Sequence, residues 1–253
     1  MKITFLGTSC GLPAAGRYCA SILLDIQGRL YLIDAGAPIV DIFAKSGRRL
    51  EDIKGVFLSH FHLDHSAGAI HLVDLAMNHY RESRFDLYTP SQQEVLAIKN
   101  LIAAAGASCE SDRIHLINYL TPWKDSLDFD DGYLRLTAIK TEHCGNNPAS
   151  PIKSFAFYVE AEGKRLLFTN DVSMHFSGND FPKIAYEGHF DAVISECGHI
   201  TADELMEKMQ DVDTDVLAVT HVNIDASMEK LKDYQKTYKT KMYLPSDGDT
   251  VEI

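Results

Sequence analysis

The sequence predicts one α/β domain whose sheet surfaces carry helices. Strand-like and helix-like segments alternate along the 253 residues. The strand-like runs are apolar throughout, as befits strands covered on both faces. No linker, low-complexity tract or tandem repeat interrupts the alternation, so the reading is a single domain over residues 1–253.

Each element follows in order. Residues 2–7, 20–26 and 29–34 are short apolar or β-branched runs bounded by glycine or polar turns, and they read as strands. Residues 54–60 have a buried-strand pattern, expected to end near Ser59. Helical spacing follows over 66–80, with Ile70, Val73 and Met77 on one face. A strand over 85–89 leads into a helix opened by Ser91 and Glu94 at capping-box spacing, with Val95, Ile98, Ile102 and Ala105 as its stripe. Strands are expected over 113–119, 127–130 and 133–140. Residues 154–160 and 164–170 form a hairpin around Glu162-Gly163. A strand over 190–195 precedes a helix opened by Thr201 and Glu204, again at capping-box spacing. A strand over 215–220 precedes a helix over 226–238, and the tail 241–253 holds two short strands around a turn.

Composition narrows the function. Apolar residues make 45% and charged residues 24%, as in an ordinary soluble globular protein. No long apolar segment exists for a membrane span, and residues 1–13 lack the charged-then-apolar layout of a signal peptide. The five cysteines are odd in number and lack metal-knuckle or redox-pair spacing, so a reducing, cytoplasmic setting is expected with Cys144 and Cys197 as small buried thiols. The net charge of −12 repels a polyanion, and the basic residues of 230–241 are spread along a helix. A nucleic acid is therefore not the expected partner; a small-molecule substrate is.

The chemistry concentrates in His60-Phe61-His62-Leu63-Asp64-His65. If the chain stays extended past the strand, residues 60, 62 and 64 point one way, and His65 reaches the same space as the chain turns. Such a group can serve two cations, with His60 and His62 on one and Asp64 and His65 on the other. Further ligand types stand just after strand-like runs: His143 in a Gly/Asn/Pro-rich loop, Asp171 after 168-FTN-170, and His221 after 216-VLAVT-220.

The H-x-H-x-D-H run resembles the signature of the metallo-β-lactamase superfamily, and His143, Asp171 and His221 match its remaining ligand motifs in order and context. The turn 32-LIDAGA-37 resembles the family's D-x-G turn, and 245-PSDGDTVEI-253 its usual ending. The opening 4-TFLGTSCGLPAAGRYCASILL-24 resembles the branch that holds tRNase Z and related phosphodiesterases. The resemblance implies an αββα sandwich of two mixed sheets flanked by helices, and a dinuclear centre at one edge. It places His60, His62 and His143 on one metal, Asp64, His65 and His221 on the other, and Asp171 between them. Ligation by nitrogen and oxygen alone suits two divalent ions such as zinc, with manganese or iron as alternatives. A homodimer is a family expectation.

Two such ions acidify a bridging water and clamp a reacting ester, so a metal-bridging hydroxide is the expected nucleophile. Asp64 could orient it or accept its proton. Glu196 matches the acidic residue of a tRNase Z motif, but Ser195 stands where that motif has histidine. Glu196 could instead brace a metal-ligating imidazole, and His199 could supply the acid for the leaving group. The preferred substrate is a small phosphodiester, cyclic ones included, favoured by a helix N-terminus after His65. Alternatives are a carboxylic ester, lactone or thioester hydrolase, a tRNase Z-like ribonuclease, and a metal-binding or sensor protein. The loops 10–19 and 144–151 are expected to choose among substrates.

Overall fold

The computed structural model describes residues 1–12, 14–108, 110–119, 127–145, 153–172, 180–222 and 225–253. One seven-stranded sheet runs in the order β16 (Thr250–Glu252), β1 (Lys2–Gly7), β2 (Ser21–Ile26), β3 (Arg29–Ile33), β4 (Ile53–Phe57), β5 (Phe85–Thr89), β6 (Ile114–Asn118). The second runs β15 (Lys241–Tyr243), β14 (Val216–Val222), β12 (Ala192–Cys197), β10 (Lys164–Asn170), β9 (Ser154–Ala161), β8 (Leu134–Thr141), β7 (Phe129–Asp130). A small pair, β11 (His189–Phe190) and β13 (Asp213–Thr214), lies apart from both.

Alternation along the strands builds the layers. Tyr31 and Ile33 point into a core shared with Phe157, Leu166 and Phe168 of the other sheet, whereas Leu30 and Leu32 point outward. The outward residues meet helices. α1 (Ile39–Ser46), α2 (Leu63–Asn78) and α3 (Gln92–Ala104) cover the first sheet, and α4 (Ala202–Met209) and α5 (Asp225–Thr237) the second. The result is an αββα sandwich of two mixed sheets, each antiparallel at one side and parallel at the other. Among the described residues, no helix is long and apolar enough to cross a membrane.

Several elements match the sequence reading closely. The hairpin turns at Glu162 and Gly163, both at positive φ (52° and 75°), the geometry of a type I′ turn. Thr201 and Glu204 form the reciprocal capping box of α4. Other features differ. β4 ends at Phe57, short of Ser59, and α2 begins at Leu63, so Asp64 and His65 belong to its first turn rather than to an extended segment or a strand-to-helix turn. The face that α2 buries is Ala69, Leu72, Val73 and Ala76, while Ile70 and Met77 are only half-buried. Ala105 is the exposed C-cap of α3, so the stripe of that helix ends at Ile102. α1 has no counterpart in the sequence reading. The two tail strands part company: β15 runs parallel to β14 and β16 antiparallel to β1, in different sheets.

Close approach decides how α2 seats. A Cβ on Gly68 would fall 2.6 Å from Ile39 Cγ2 and 2.7 Å from Gly36 O; one on Gly36 would fall 2.1 Å from Asp64 O. Only glycine leaves room for the contact, which is closed by hydrogen bonds from Ala35 N–H to His65 O (2.8 Å) and from Ala69 N–H to Ala35 O (3.1 Å). The first turn of α2 is thereby pinned to the end of β3.

Candidate metal centre

The strands β3, β4, β8, β10, β12 and β14 run in one direction, and their carboxyl ends gather at one edge of the sandwich. Each delivers a polar side chain just past its end: Asp34 after β3, Ser59 and His60 after β4, His143 after β8, and Asp171 after β10. Glu196 and His221 are the next-to-last residues of β12 and β14. His62 occupies the N-cap position of α2, and Asp64 and His65 follow in its first turn. Parallel strands flanked by helices place ligands at this end as a rule.

The seven residues singled out as ligands meet. His60 Nε2 is 2.9 Å from His62 Nδ1, which is 3.3 Å from His143 Nε2. His65 Nε2 is 3.2 Å from His221 Nε2 and 3.3 Å from Asp64 Oδ2, and Asp64 Oδ2 is 3.4 Å from His221 Nε2. Asp171 Oδ2 lies between the two groups, 3.6 Å from His60 Nε2 and His143 Nε2 and 3.3 Å from His65 Nε2. His60, His65, Asp171 and His221 are buried. Donor sets His60/His62/His143 and Asp64/His65/His221 each fit within 4.8 Å.

This donor set fits divalent cations. Imidazole nitrogens face one another at 2.9 to 3.3 Å, where neighbouring rings cannot all be satisfied by sharing protons. The Nδ1 atoms of His143, His199 and His221 are buried without a hydrogen-bond partner. A cation would answer not these atoms but the Nε2 atoms of His60, His65, His143 and His221, which face the Asp64 and Asp171 carboxylates and suit divalent ions as nitrogen donors beside oxygen.

The rings are held in the tautomers that ligation needs. Asp34 accepts from Ser59 N–H (2.7 Å), Ser59 Oγ–H (2.8 Å) and His65 Nδ1–H (2.8 Å). With the Ser59 proton committed to Asp34, His60 Nδ1–H donates to Ser59 Oγ at 3.0 Å. The Nε2 lone pairs of His60 and His65 then face the centre. Ser59 is fixed in turn by the hydrogen bond from Phe155 N–H of the opposite sheet to its carbonyl (2.9 Å). Neither Asp34, in the 32–37 turn, nor Ser59 is marked for this task by its sequence context. Asp34, Asn170 and His221 take positive φ values of 57°, 48° and 51°, bending the chain sharply where the side chains turn inward.

Charge follows the same layout. Burial works against charged His65, but Asp171 and Asp34 outweigh it and hold its pKa well above the ordinary imidazole range. Burial likewise opposes charge on His221, yet Asp171, Asp64 and Glu196 raise its pKa to about 10. Burial lowers His143 to about 4 and pushes His60 well below its ordinary range, the latter helped by His65. Burial would raise Asp171, but His221 and His65 hold it well below the carboxylate range.

Glu196 and His199 lie at the rim of the cluster. The Glu196 carboxylate accepts from the backbone N–H groups of Val172 (3.1 Å), Gly198 and His199 (2.8 Å). It lies 3.9 Å from His221 Nδ1 and 3.3 Å from His199 Nδ1. Its main task is thus to bind the loop ends after β10 and β12 together, with the imidazoles alongside. His199 is half-exposed, and its Nδ1 is 3.6 Å from Asp171 Oδ2. Cys197 is buried and Cys144 half-buried. Residues 146–151 of the loop expected to choose substrates lie outside the described residues.

Comparison with known proteins agrees with this architecture. The metallo-β-lactamase fold protein YhfI from Bacillus subtilis superposes with a TM-score of 0.76 at 20% identity, over 99% of both chains. The human tRNase Z, short form, gives 0.71 at 20% identity, over 100% of this chain and 99% of the other. At these identities the likeness is one of fold. In sequence, the ribonuclease Z of Nitrosopumilus maritimus is 28% identical over 144 residues, which are 56% of this chain and 46% of the relative. The chain spans about half or less of the length of ribonuclease relatives such as those of a Cyanothece strain (29%) and Proteus mirabilis (51%). A family model covers far more: with residues 1–252 matched end to end, this metallo-β-lactamase-fold chain belongs to the family described as anti-Pycsar protein Apyc1.

Proposed function

We propose that the protein is a dinuclear metal-dependent hydrolase of small phosphodiesters, cyclic ones included. The observation that carries this reading is Asp171 Oδ2, within 3.6 Å of donors from both ligand sets at once. His60, His62 and His143 would hold one ion, Asp64, His65 and His221 the other, and Asp171 both. Zinc suits these donors best, with manganese or iron as alternatives. When bound, two divalent ions supply Lewis acidity toward a phosphoryl oxygen and lower the pKa of water.

The chain's own residues supply the rest. Asp34 and Ser59 hold His65 and His60 with their Nε2 atoms toward the centre. Asp64, half-buried beside His65, can orient an attacking water and accept its proton. His199 keeps its Nδ1 side toward Glu196 and Asp171, so the proton it can pass to a leaving oxygen is carried on Nε2. α2 opens at the centre and directs the positive end of its dipole at a bound anion. The net charge of −12 supports a small substrate over a polyanion.

The ribonuclease Z relatives favour a second reading, a phosphodiester within RNA. Both readings meet in one experiment. Zinc- or manganese-loaded protein is assayed on bis(p-nitrophenyl) phosphate, with Asp171→Ala alongside and a tRNA precursor as second substrate. Metal-dependent turnover is expected, falling in the variant by more than the ~10–100-fold typical of losing a ligand's hydrogen-bond partner. Bound metal with no turnover of any phosphodiester would refute the proposal, and cleavage of a thioester or lactone instead would replace it.

A further inference from the structure

Asp247 stands outside the donor cluster, in the turn between β15 and β16, yet its carboxylate grips both ends of the loop after β1. Oδ1 accepts from Thr8 N–H (2.9 Å) and Thr8 Oγ1–H (2.6 Å), and Oδ2 accepts from Tyr18 N–H. Arg17 reinforces the grip by donating from Nε to Thr8 Oγ1 and from Nη2 to Thr8 O, each at 3.0 Å. Ser9 N–H donates to Tyr18 O (2.9 Å), and Ser9 Oγ–H to Leu12 O (3.1 Å). The turn that carries Asp247 is itself tied to β1, through Gly248 N–H to Phe5 O (2.7 Å) and Phe5 N–H to Asp249 O (2.9 Å).

The loop so held abuts the candidate centre. A Cβ on Gly11 would lie 3.0 Å from Asp64 Oδ2, so the bare backbone of residue 11 packs on that carboxylate. Ser9 also bridges to Val222, the residue after His221. Beside these contacts Leu12 is 60% exposed. One side of the loop thus touches the Asp64/His221 half of the centre, and the apolar side chain of Leu12 beside it is exposed.

We propose that Asp247 is a positioning residue. It holds residues 8–12 and 14–19 as a fixed wall at the Asp64 side of the site, and Leu12 on that wall meets the non-reacting organic group of the substrate. The inference rests on the phosphodiester reading above. A loop ordered before the substrate arrives spares binding the entropy of ordering it, so the clamp acts on KM rather than on kcat.

Asp247→Asn tests this. Asparagine keeps an acceptor for Thr8 but turns an amide donor toward Tyr18 N–H, releasing that end. Thr8→Val is the second variant; it removes the hydroxyl donor to Asp247 and the acceptor of Arg17 Nε at nearly constant volume. Hydrogen exchange of the 7–20 peptide should quicken about tenfold, with metal content and melting curve unchanged. KM for bis(p-nitrophenyl) phosphate should rise about fivefold with kcat within about twofold, and KM for the smaller methyl p-nitrophenyl phosphate should rise less. Unchanged exchange overturns the clamp, as does a parallel loss of kcat and metal. Absence of turnover by the wild-type protein overturns instead the phosphodiester reading and with it the KM claim, so the two failures are told apart.

Discussion

Asp34→Asn probes how the centre is built more sharply than removal of a ligand does. Asp34 has φ of 57°, a region that asparagine tolerates, so the backbone can stay as it is. Alanine there would add ~1–2 kcal/mol of backbone cost and confuse the result. The new Oδ1 can still accept from Ser59 N–H, now 2.7 Å from the carboxylate, and the Ser59 hydroxyl can rotate to accept. His65 cannot adapt so easily. Its Nδ1, 2.8 Å from Oδ2, would face an N–H donor and must become the acceptor. The ring proton then moves to Nε2, the atom 3.2 Å from His221 Nε2 and 3.3 Å from Asp64 and Asp171. A protonated Nε2 cannot ligate. The affinity of the Asp64/His65/His221 site should fall ~10–100-fold, equivalent to ~1.4–2.8 kcal/mol, while the His60/His62/His143 site changes less. Metal-free stability should fall by only ~1–3 kcal/mol, for one mismatched buried contact. Equilibrium dialysis against a competing chelator, with metals counted by mass spectrometry, separates the two sites. Two ions bound with wild-type affinity would refute the tautomer argument.

Two further outcomes follow from packing and charge. Gly68→Ala should destabilise the protein by ~1–3 kcal/mol through overpacking, although alanine is the better helix former by ~1 kcal/mol; its Cβ would meet Ile39 Cγ2 at 2.6 Å and Gly36 O at 2.7 Å, and urea unfolding gives the sign. Asp131 accepts from Tyr31 Oη–H (2.6 Å) and Arg29 Nη2 across the two sheets; partial burial would raise its pKa, but those donors and the N–H groups of Leu134 and Tyr133 outweigh it and hold the pKa below the carboxylate range. A depressed folded pKa stabilises above the unfolded value of ~3.9 and fades as pH falls through the lower folded one. Asp131→Ala should therefore cost ~1–2 kcal/mol at pH 7, and the gap to wild type should close in acid; a constant gap between pH 7 and pH 3 would refute this.

Much of the centre was legible because its signal is local and rare. Four ligand-type residues in six, and three more just after strand-like runs, need no tertiary knowledge to be noticed. Hairpin and capping box were legible for the same reason: Glu162-Gly163 and Thr201/Glu204 carry their geometry within a few residues. What escaped depends on distant partners. The buried face of α2 is chosen by the Gly36–Gly68 approach, which overrides the Ile70/Met77 stripe. Asp34 acquires its task only when β3 and β4 lie side by side. The tail strands look alike in sequence, and only the sandwich sends one to each sheet.

The left-handed residues at the centre carry a consequence for how this protein can change. Asp34, Asn170 and His221 belong to the few side-chain types that bear positive φ without heavy cost. At Asp34 and His221 the same side chain is also what the proposed metal centre asks for. Each position is thus answerable to two demands at once, and a single substitution seldom meets both. A leucine or valine at position 221 would lose the imidazole and strain the end of β14 together, at ~1–3 kcal/mol for the backbone alone. Adaptation to new substrates is therefore channelled away from these corners and into the loops around them, which carry no such double duty. These corners, proposed as metal ligands or their supports, are the constrained part of the site, and its room to change lies in what surrounds them.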